Sequence, residues 1–373
     1  MTHADLSARA AAARRWLLEA AFPLWSTAGF DAASGQFVEQ LSLDGAPAVD
    51  APRRALVQAR QLYVFAVAAR MGWAGPWRAV MNAAADTLLA RGRTDAGDWV
   101  FSFDASGRPL DARPDLYTQA FLIFGLVHAA TALERADLMA AATQTRRRLD
   151  AVWRAPAGGF IEGEVHAGVR RQNPHMHLFE AITALWEAGR DPVDGALGAE
   201  LLALFEQRFA APGGVLEYFD DGLAPLSDAR GRVLEPGHAF EWSWLIGRWT
   251  AAGGSARPAL VDRLYAAGGM GVNVDGVALD EVWTDGTVKS ASARLWPQAE
   301  RLKAALAHGD RTGDLDGARA AHVALDGYLL HERPGLWRDR RLADGRGWAE
   351  GPAPASSGYH LVGALDELIR RFG

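Results

Sequence analysis

Alanine and leucine recur at helical spacing almost throughout this chain, while Val/Ile/Thr runs of strand type are scarce. The pattern predicts helices over 6–27, 53–71, 76–91, 114–133, 136–153, 173–188, 193–210, 238–251, 257–270, 292–308, 314–332 and 356–371. Gly/Pro/Asp-rich connectors between them alternate between short (71–76, 188–193, 251–257) and long (27–53, 91–114, 153–173, 210–238, 270–292, 332–356). Twelve helices with alternating connectors read as six helical hairpins. Each hairpin is a unit that needs neighbours to cover its apolar face. Six can close into a ring, one set of helices inside and the other outside. The long connectors then gather at one end and build a cleft. Small β-hairpins are expected within them, at Gly158-Gly159-Phe160-Ile161-Glu162-Gly163-Glu164-Val165 and Gly214-Val215-Leu216-Glu217-Tyr218-Phe219. The fold class expected is all-α, a single barrel domain over 1–373.

Every even-numbered helix follows a long connector, and its beginning is polar. The six beginnings hold Arg60; Tyr117 and Gln119; Asn173 and His177; His238 and Glu241; Arg294 and Gln298; and His360. If these helices form the inner ring, the side chains converge at one mouth, as a small polar ligand requires. Three of the beginnings carry a histidine behind helix-start chemistry: Asn173-Pro174, Pro236-Gly237 and Ser356-Ser357. Histidine both takes and gives a proton near neutral pH, which points to proton transfer. Asn173, His177 and Glu180 share one helix face, whereas His175 points away from it. Glu241, one turn beyond His238, is placed to orient that imidazole or to hold a substrate hydroxyl. His128 ends an apolar helix, His166 sits in a turn, and His3, His308, His322 and His331 read as surface.

Composition narrows the classes. With 49% hydrophobic residues in 373, the chain can bury a large core. The net charge of −6 is spread along it, and no basic strip interleaves with aromatics, so nucleic acid is not an expected partner. No membrane-spanning segment is expected, and the Arg-containing N-terminal helix does not read as a signal peptide. The absence of cysteine excludes thiolate nucleophiles and Cys-based metal sites. A cytoplasmic location is expected. His175 and His177 are a weak metal pair, and no metal is expected. There is no phosphate-binding loop, nucleophile elbow or dinucleotide motif, so no cofactor is expected. The 14 Trp suit stacking on sugar rings, with Trp99, Trp242 and Trp296 as candidates to line a site. Paired carboxylates of a glycoside hydrolase would have to come from Asp104, Asp115, Glu162, Glu241 and Glu300. The mouth favours histidine over acid.

Five ordered motifs resemble the N-acylglucosamine 2-epimerase superfamily of mannose isomerases, cellobiose 2-epimerases and sulfoquinovose isomerases. They are Pro114-Asp115-Leu116-Tyr117-Thr118-Gln119-Ala120-Phe121, Asn173-Pro174-His175-Met176-His177-Leu178-Phe179-Glu180-Ala181, Pro236-Gly237-His238-Ala239-Phe240-Glu241-Trp242, Arg294-Leu295-Trp296-Pro297-Gln298-Ala299-Glu300-Arg301 and the Ser356 to His360 segment. The resemblance implies an (α/α)6 barrel and cofactor-free isomerisation or epimerisation of a monosaccharide next to its carbonyl carbon. It implies that His238 and His360 move protons and that His177 sits at the reducing end. Arg60, Asn173 and Glu241 would hold the C1–C3 oxygens; Tyr117 and Trp296 would form the wall. The compact chain looks closest to mannose isomerases, which implies conversion of mannose to fructose through a cis-enediolate. A 2-epimerase using the same site is the alternative. The resemblance implies a monomer or a homodimer.

Overall fold

The computed structural model describes residues 2–163, 168–329 and 332–373. His166 and His331, and the end of the 158–165 segment, lie outside the described residues. Among the described residues twelve helices form, numbered here in chain order. α1 covers 2–27 as Thr2–Trp16, a π-turn Leu17–Ala21 and Phe22–Thr27. The π-turn falls just ahead of Pro23, which has no N–H to continue the ladder. α2 is Ala55–Arg70, α3 Trp77–Arg91, α4 Leu116–Leu133, α5 Ala136–Val152 and α6 Gln172–Gly189. α7 is Pro192–Leu204, followed by a second π-turn, Phe205–Phe209; α8 is Pro236–Ala251 and α9 Pro258–Met270. α10 is Leu295–Thr312, α11 Asp316–Leu329 and α12 Gly358–Phe372.

Each even helix packs on the next even one, and α12 returns to α2, closing the inner ring of an (α/α)6 barrel. The odd helices lie outside, each against an even neighbour. Burial follows this division. α2 is buried on all sides from Ala55 to Ala68. Outer α3 buries only the stripe Val80, Met81, Ala84, Ala85 and Leu88. Inner α4 corrects one expectation. Its 18 residues carry no charge and have a mean hydropathy of 1.5, long and apolar enough to cross a bilayer. They are 78% buried inside the protein, so the apolar surface is already covered by α2, α5 and α6.

The connectors hold short strands, but most pairings are not the expected internal hairpins. The strand before one inner helix pairs with the connector leading to the next: Arg54 with Ser102, Arg171 with Tyr218, Val233 with Trp283, Arg294 with Arg340 and Pro354 with Gln40. This stitching runs around the mouth and fixes where each inner helix starts. Of the two segments expected as strands, 214–219 forms Gly214–Val215 and Tyr218–Phe219. In the other, Gly158 and Gly159 take positive φ and make a turn, leaving among its described residues an isolated bridge at Phe160.

Candidate functional site

The inner helices repeat a register. Counted from the first residue of α2, α4, α6, α8 and α10, the sixth residues are Arg60, Phe121, His177, Glu241 and Glu300. In the last repeat a short 3-10 turn, Ala355–Ser357, opens the helix, and His360 is sixth from Ala355. Six equivalent positions therefore make one ring of mostly ionisable side chains at the same depth. Above it lies a cavity of about 380 Å³. Arg60, Tyr117, Asn173, His177, His238, Glu241, Arg294, Trp296 and His360 line it, so nine of the ten expected site residues meet there. Glu235, Asp339, Arg340, Ser356 and Ser357 join them.

Gln298 does not belong to this set. Its amide accepts from Ala278 N (2.9 Å) and donates to Ala278 O (2.8 Å), which leaves nothing for a ligand. It is a latch between an inner helix and its connector. Gln58 holds Phe37 and Gln119 holds Trp99 in the same way, each from the fourth position of its helix. His175 occupies the fourth position in α6, where its Nε2 accepts from Phe160 N and its Nδ1 faces Arg171 O. Trp99 and Trp242 are core residues, fully buried, and only Trp296 faces the cavity. His322 is also buried, against Arg9.

Each cavity histidine has its own carboxylate. His360 Nδ1 lies 2.7 Å from Glu300 Oε1, and Lys303 Nζ lies 2.6 Å from the other oxygen of Glu300. With Nδ1 donating to Glu300, Nε2 is the nitrogen left for the cavity. Burial holds His360 well below the usual imidazole range, and the Arg60 and Lys303 charges push it further down. His238 Nδ1 lies 2.7 Å from Glu217 Oε1. Burial would depress this ring too, but the carboxylates of Glu217 and Glu235 overcome it and lift His238 to about 9. Glu217, not Glu241, therefore orients His238. His177 Nδ1 meets Glu180 at 3.1 Å, and burial lowers its pKa to about 4. Both proton-moving candidates flank Trp296, whose ring centroid is 4.9 Å from His238 and 5.6 Å from His360.

Arg60 is held over the Phe121 ring at 4.1 Å, donating to Tyr117 Oη (2.7 Å) and Ser356 O (3.0 Å). Arg294 pairs with Asp280 (3.0 Å) and Glu235 (2.9 Å) at the mouth. Both oxygens of Glu241, and Oδ1 of Asn173, are buried without partners. Such orphaned groups cost stability unless a ligand completes them. Glu241, Glu300 and His360 are close enough to touch one ion. Yet Glu300 is already shared between His360 and Lys303, so a metal would have to displace an ammonium. Of the hydrolase acids, Asp104 bonds Ser106 in an exposed turn, Asp115 caps α4 and Glu162 pairs with Arg171. None of these three faces the cavity.

Several of these roles escaped the sequence reading. Glu300 enters it only as a candidate hydrolase acid, although aligning helix starts puts it level with His177 and Glu241; Lys303 is not singled out. Glu217 had no such signal; it reaches His238 from a neighbouring connector 21 residues away. Arg340 arrives from the connector before α12, through its strand pairing with Arg294.

Comparison with known proteins agrees with this fold. The sequence model of the family described as N-acylglucosamine 2-epimerase (GlcNAc 2-epimerase) matches residues 35–364. A protein of Rhizobium meliloti (strain 1021) named mannose-6-phosphate isomerase is 39% identical, over 98% of this chain and 97% of its own. The structure of cellobiose 2-epimerase from Bacillus thermoamylovorans superposes with a TM-score of 0.88 at 20% identity, covering 98% of this chain and 99% of that one. A crystal structure of D-mannose isomerase gives 0.87 at 18% identity, covering 98% of both. The chain belongs to the N-acylglucosamine 2-epimerase family and is a sugar isomerase or epimerase.

Proposed function

We propose that this protein is an aldose–ketose isomerase that interconverts a hexose of mannose type with fructose. The observation that carries this reading is the pair of imidazoles lining one cavity, His360 held by Glu300 and His238 by Glu217. Their surroundings push them in opposite directions, His360 well below the usual imidazole range and His238 up to about 9. His238 donates to the ring oxygen as the pyranose opens. His360 Nε2 then takes the proton from C2. The resulting enediolate faces the Arg60 guanidinium and the N-terminal ends of the inner helices, both favourable to negative charge. Return of the proton from His360 to C1 gives the ketose. Delivery to the opposite face of C2 would give the 2-epimer instead.

Incubating the protein with D-mannose in deuterated water and following it by NMR tests this. Fructose is expected, carrying deuterium at C1 to the extent that the proton on His360 exchanges with solvent before its return. Glucose as the product selects the 2-epimerase, and unchanged sugar contradicts both.

A second reading, a phosphorylated hexose, is favoured by Arg340. This side chain is exposed at the cavity rim and has no ion pair among the described residues. The arginines inside, Arg60 and Arg294, are already engaged. The 39% identical relative named for mannose 6-phosphate points the same way. Under this reading Arg340→Ala weakens kcat/KM about tenfold for mannose 6-phosphate and leaves mannose unaffected. Equal values for both sugars in both proteins would contradict it.

A further inference from the structure

Glu241 is fully buried at 0% exposure, yet it faces the cavity with neither oxygen bonded. Every other acid lining or supporting the cavity has a partner: Glu180 has His177 and Tyr359, Glu217 has His238, Glu235 has Arg294, Glu300 has His360 and Asp339 has Ser357. Its Oε1 lies 4.0 Å from His177 Nδ1, and its carboxyl stands within 4.8 Å of Glu300 and of a ring nitrogen of His360. It therefore sits beside the imidazole assigned to C2, with two free oxygens side by side.

Moving hydrogen from C2 to C1 is half of an aldose–ketose conversion. The hydroxyl proton on O2 must also leave, and O1 must gain one. A 2-epimerase needs neither, since O1 remains the carbonyl oxygen. Neither histidine is free at that moment. His360 holds the C2 proton, and His238 serves the ring oxygen.

We propose that Glu241 is the proton shuttle between O1 and O2, and that it makes this site an isomerase. This rests on the isomerase reading above. Glu241 enters as the carboxylic acid. When His360 removes the C2 proton, the C–H electron pair forms the C1=C2 bond and O1 takes up the charge. The Glu241 O–H proton passes to O1, leaving glutamate and a neutral enediol. The second glutamate oxygen then takes the O2 proton as C2=O2 forms. The C1=C2 pair takes the proton back from the His360 imidazolium at C1. Both residues end as they began, and one aldose has become one ketose. The surroundings favour the acid form at the start. Burial and the neighbouring Glu300 and Glu180 carboxyls raise the Glu241 carboxyl well above the usual range, against the pull of Lys303 and His238.

The test compares two rates in deuterated water, on D-mannose or its 6-phosphate, whichever the wild type converts. One is deuterium entry at C2 of the recovered aldose; the other is ketose formation. Gln matches Glu in shape but carries no transferable acid proton. Glu241→Gln is expected to keep C2 exchange within about threefold while ketose formation drops about 100-fold. Glu241→Asp, which keeps a carboxyl, should recover part of it. The ratio of the two rates belongs to folded enzyme alone, so partial misfolding does not alter it. A fall of both rates by the same factor, or no fall in ketose formation, overturns the shuttle while leaving the isomerase reading intact. A wild type that exchanges C2 but yields only the 2-epimer overturns that reading and the shuttle with it.

Discussion

The barrel has a cavity at each end of its axis, and the larger is not the one suited to the chemistry. The rear cavity, about 560 Å³, is lined by the last turns of all six inner helices. It holds Arg70, Arg248, Arg311, Arg370 and Arg371 against Glu187, Asp310, Asp366 and Glu367. Each of these charges has an opposite partner: Arg70 with Asp366, Arg248 with Glu187, Arg371 with Asp310, Arg370 with Glu367 and Arg311 with Asp262. The arginines also complement the negative ends of the helix dipoles. The front cavity, about 380 Å³, is smaller and less complete. It leaves Glu241 and Asn173 unsatisfied and shifts its histidines in opposite directions. The rear cavity's one buried side-chain atom without a partner among the described residues is His128 Nε2, so an unpaired carboxylate, not volume, distinguishes the front cavity from a gap closed by ion pairs.

That contrast can be attacked from either end. The largest effect is expected at His360, where removing the base should cost about 10,000-fold in kcat, the upper end for general base catalysis. Circular dichroism of His360→Ala should remain that of the wild type. A variant turning over sugar within tenfold of wild type would remove His360 from the mechanism.

A smaller and more specific effect is expected at Glu217. His238 must be protonated to act as the acid, so kcat/KM should fall as pH rises past about 9. On the acid side, activity should persist below the ordinary imidazole range, because His360 is held low. Glu217 is among the groups that raise His238, so Glu217→Gln should move the alkaline limb to lower pH and leave the acid limb in place. A profile with an unmoved alkaline limb would assign that limb to another group.

The smallest effect is expected at the rear. Arg248→Ala removes a partly exposed pair with Glu187 and should lower stability by about 1 kcal/mol, read as a modest drop in Tm. Turnover should be unchanged. A loss of kcat there would join the two ends of the barrel functionally.

Much of this was legible in the chain because the barrel repeats. Regular helix spacing with alternating connectors carries the fold, and residues at helix starts carry the ring of Arg60, His177, Glu241 and His360. The failures have two physical origins. A buried amide such as Gln298 and a substrate-binding amide look alike in sequence, since both are polar residues on an apolar helix. Only the position of Ala278 tells them apart. Glu217 reaches His238 from the residue before the strand Tyr218–Phe219, and Arg340 reaches the cavity from the strand Arg340–Arg341; two-residue strands carry no periodicity to read. Trp99 and Trp242 misled for a similar reason, because a large aromatic face suits a core as well as a sugar.

The claim on which the account turns is that His238 and His360, shifted in opposite directions by their surroundings, serve one sugar in one cavity, His238 at the ring oxygen and His360 at C2. A crystal structure with an open-chain hexitol tests it most directly. The account predicts C2 within about 3.5 Å of His360 Nε2, with Glu241 bridging the oxygens on C1 and C2. A hexitol bound in the rear cavity, or one whose C2 lies beyond reach of His360, would contradict it.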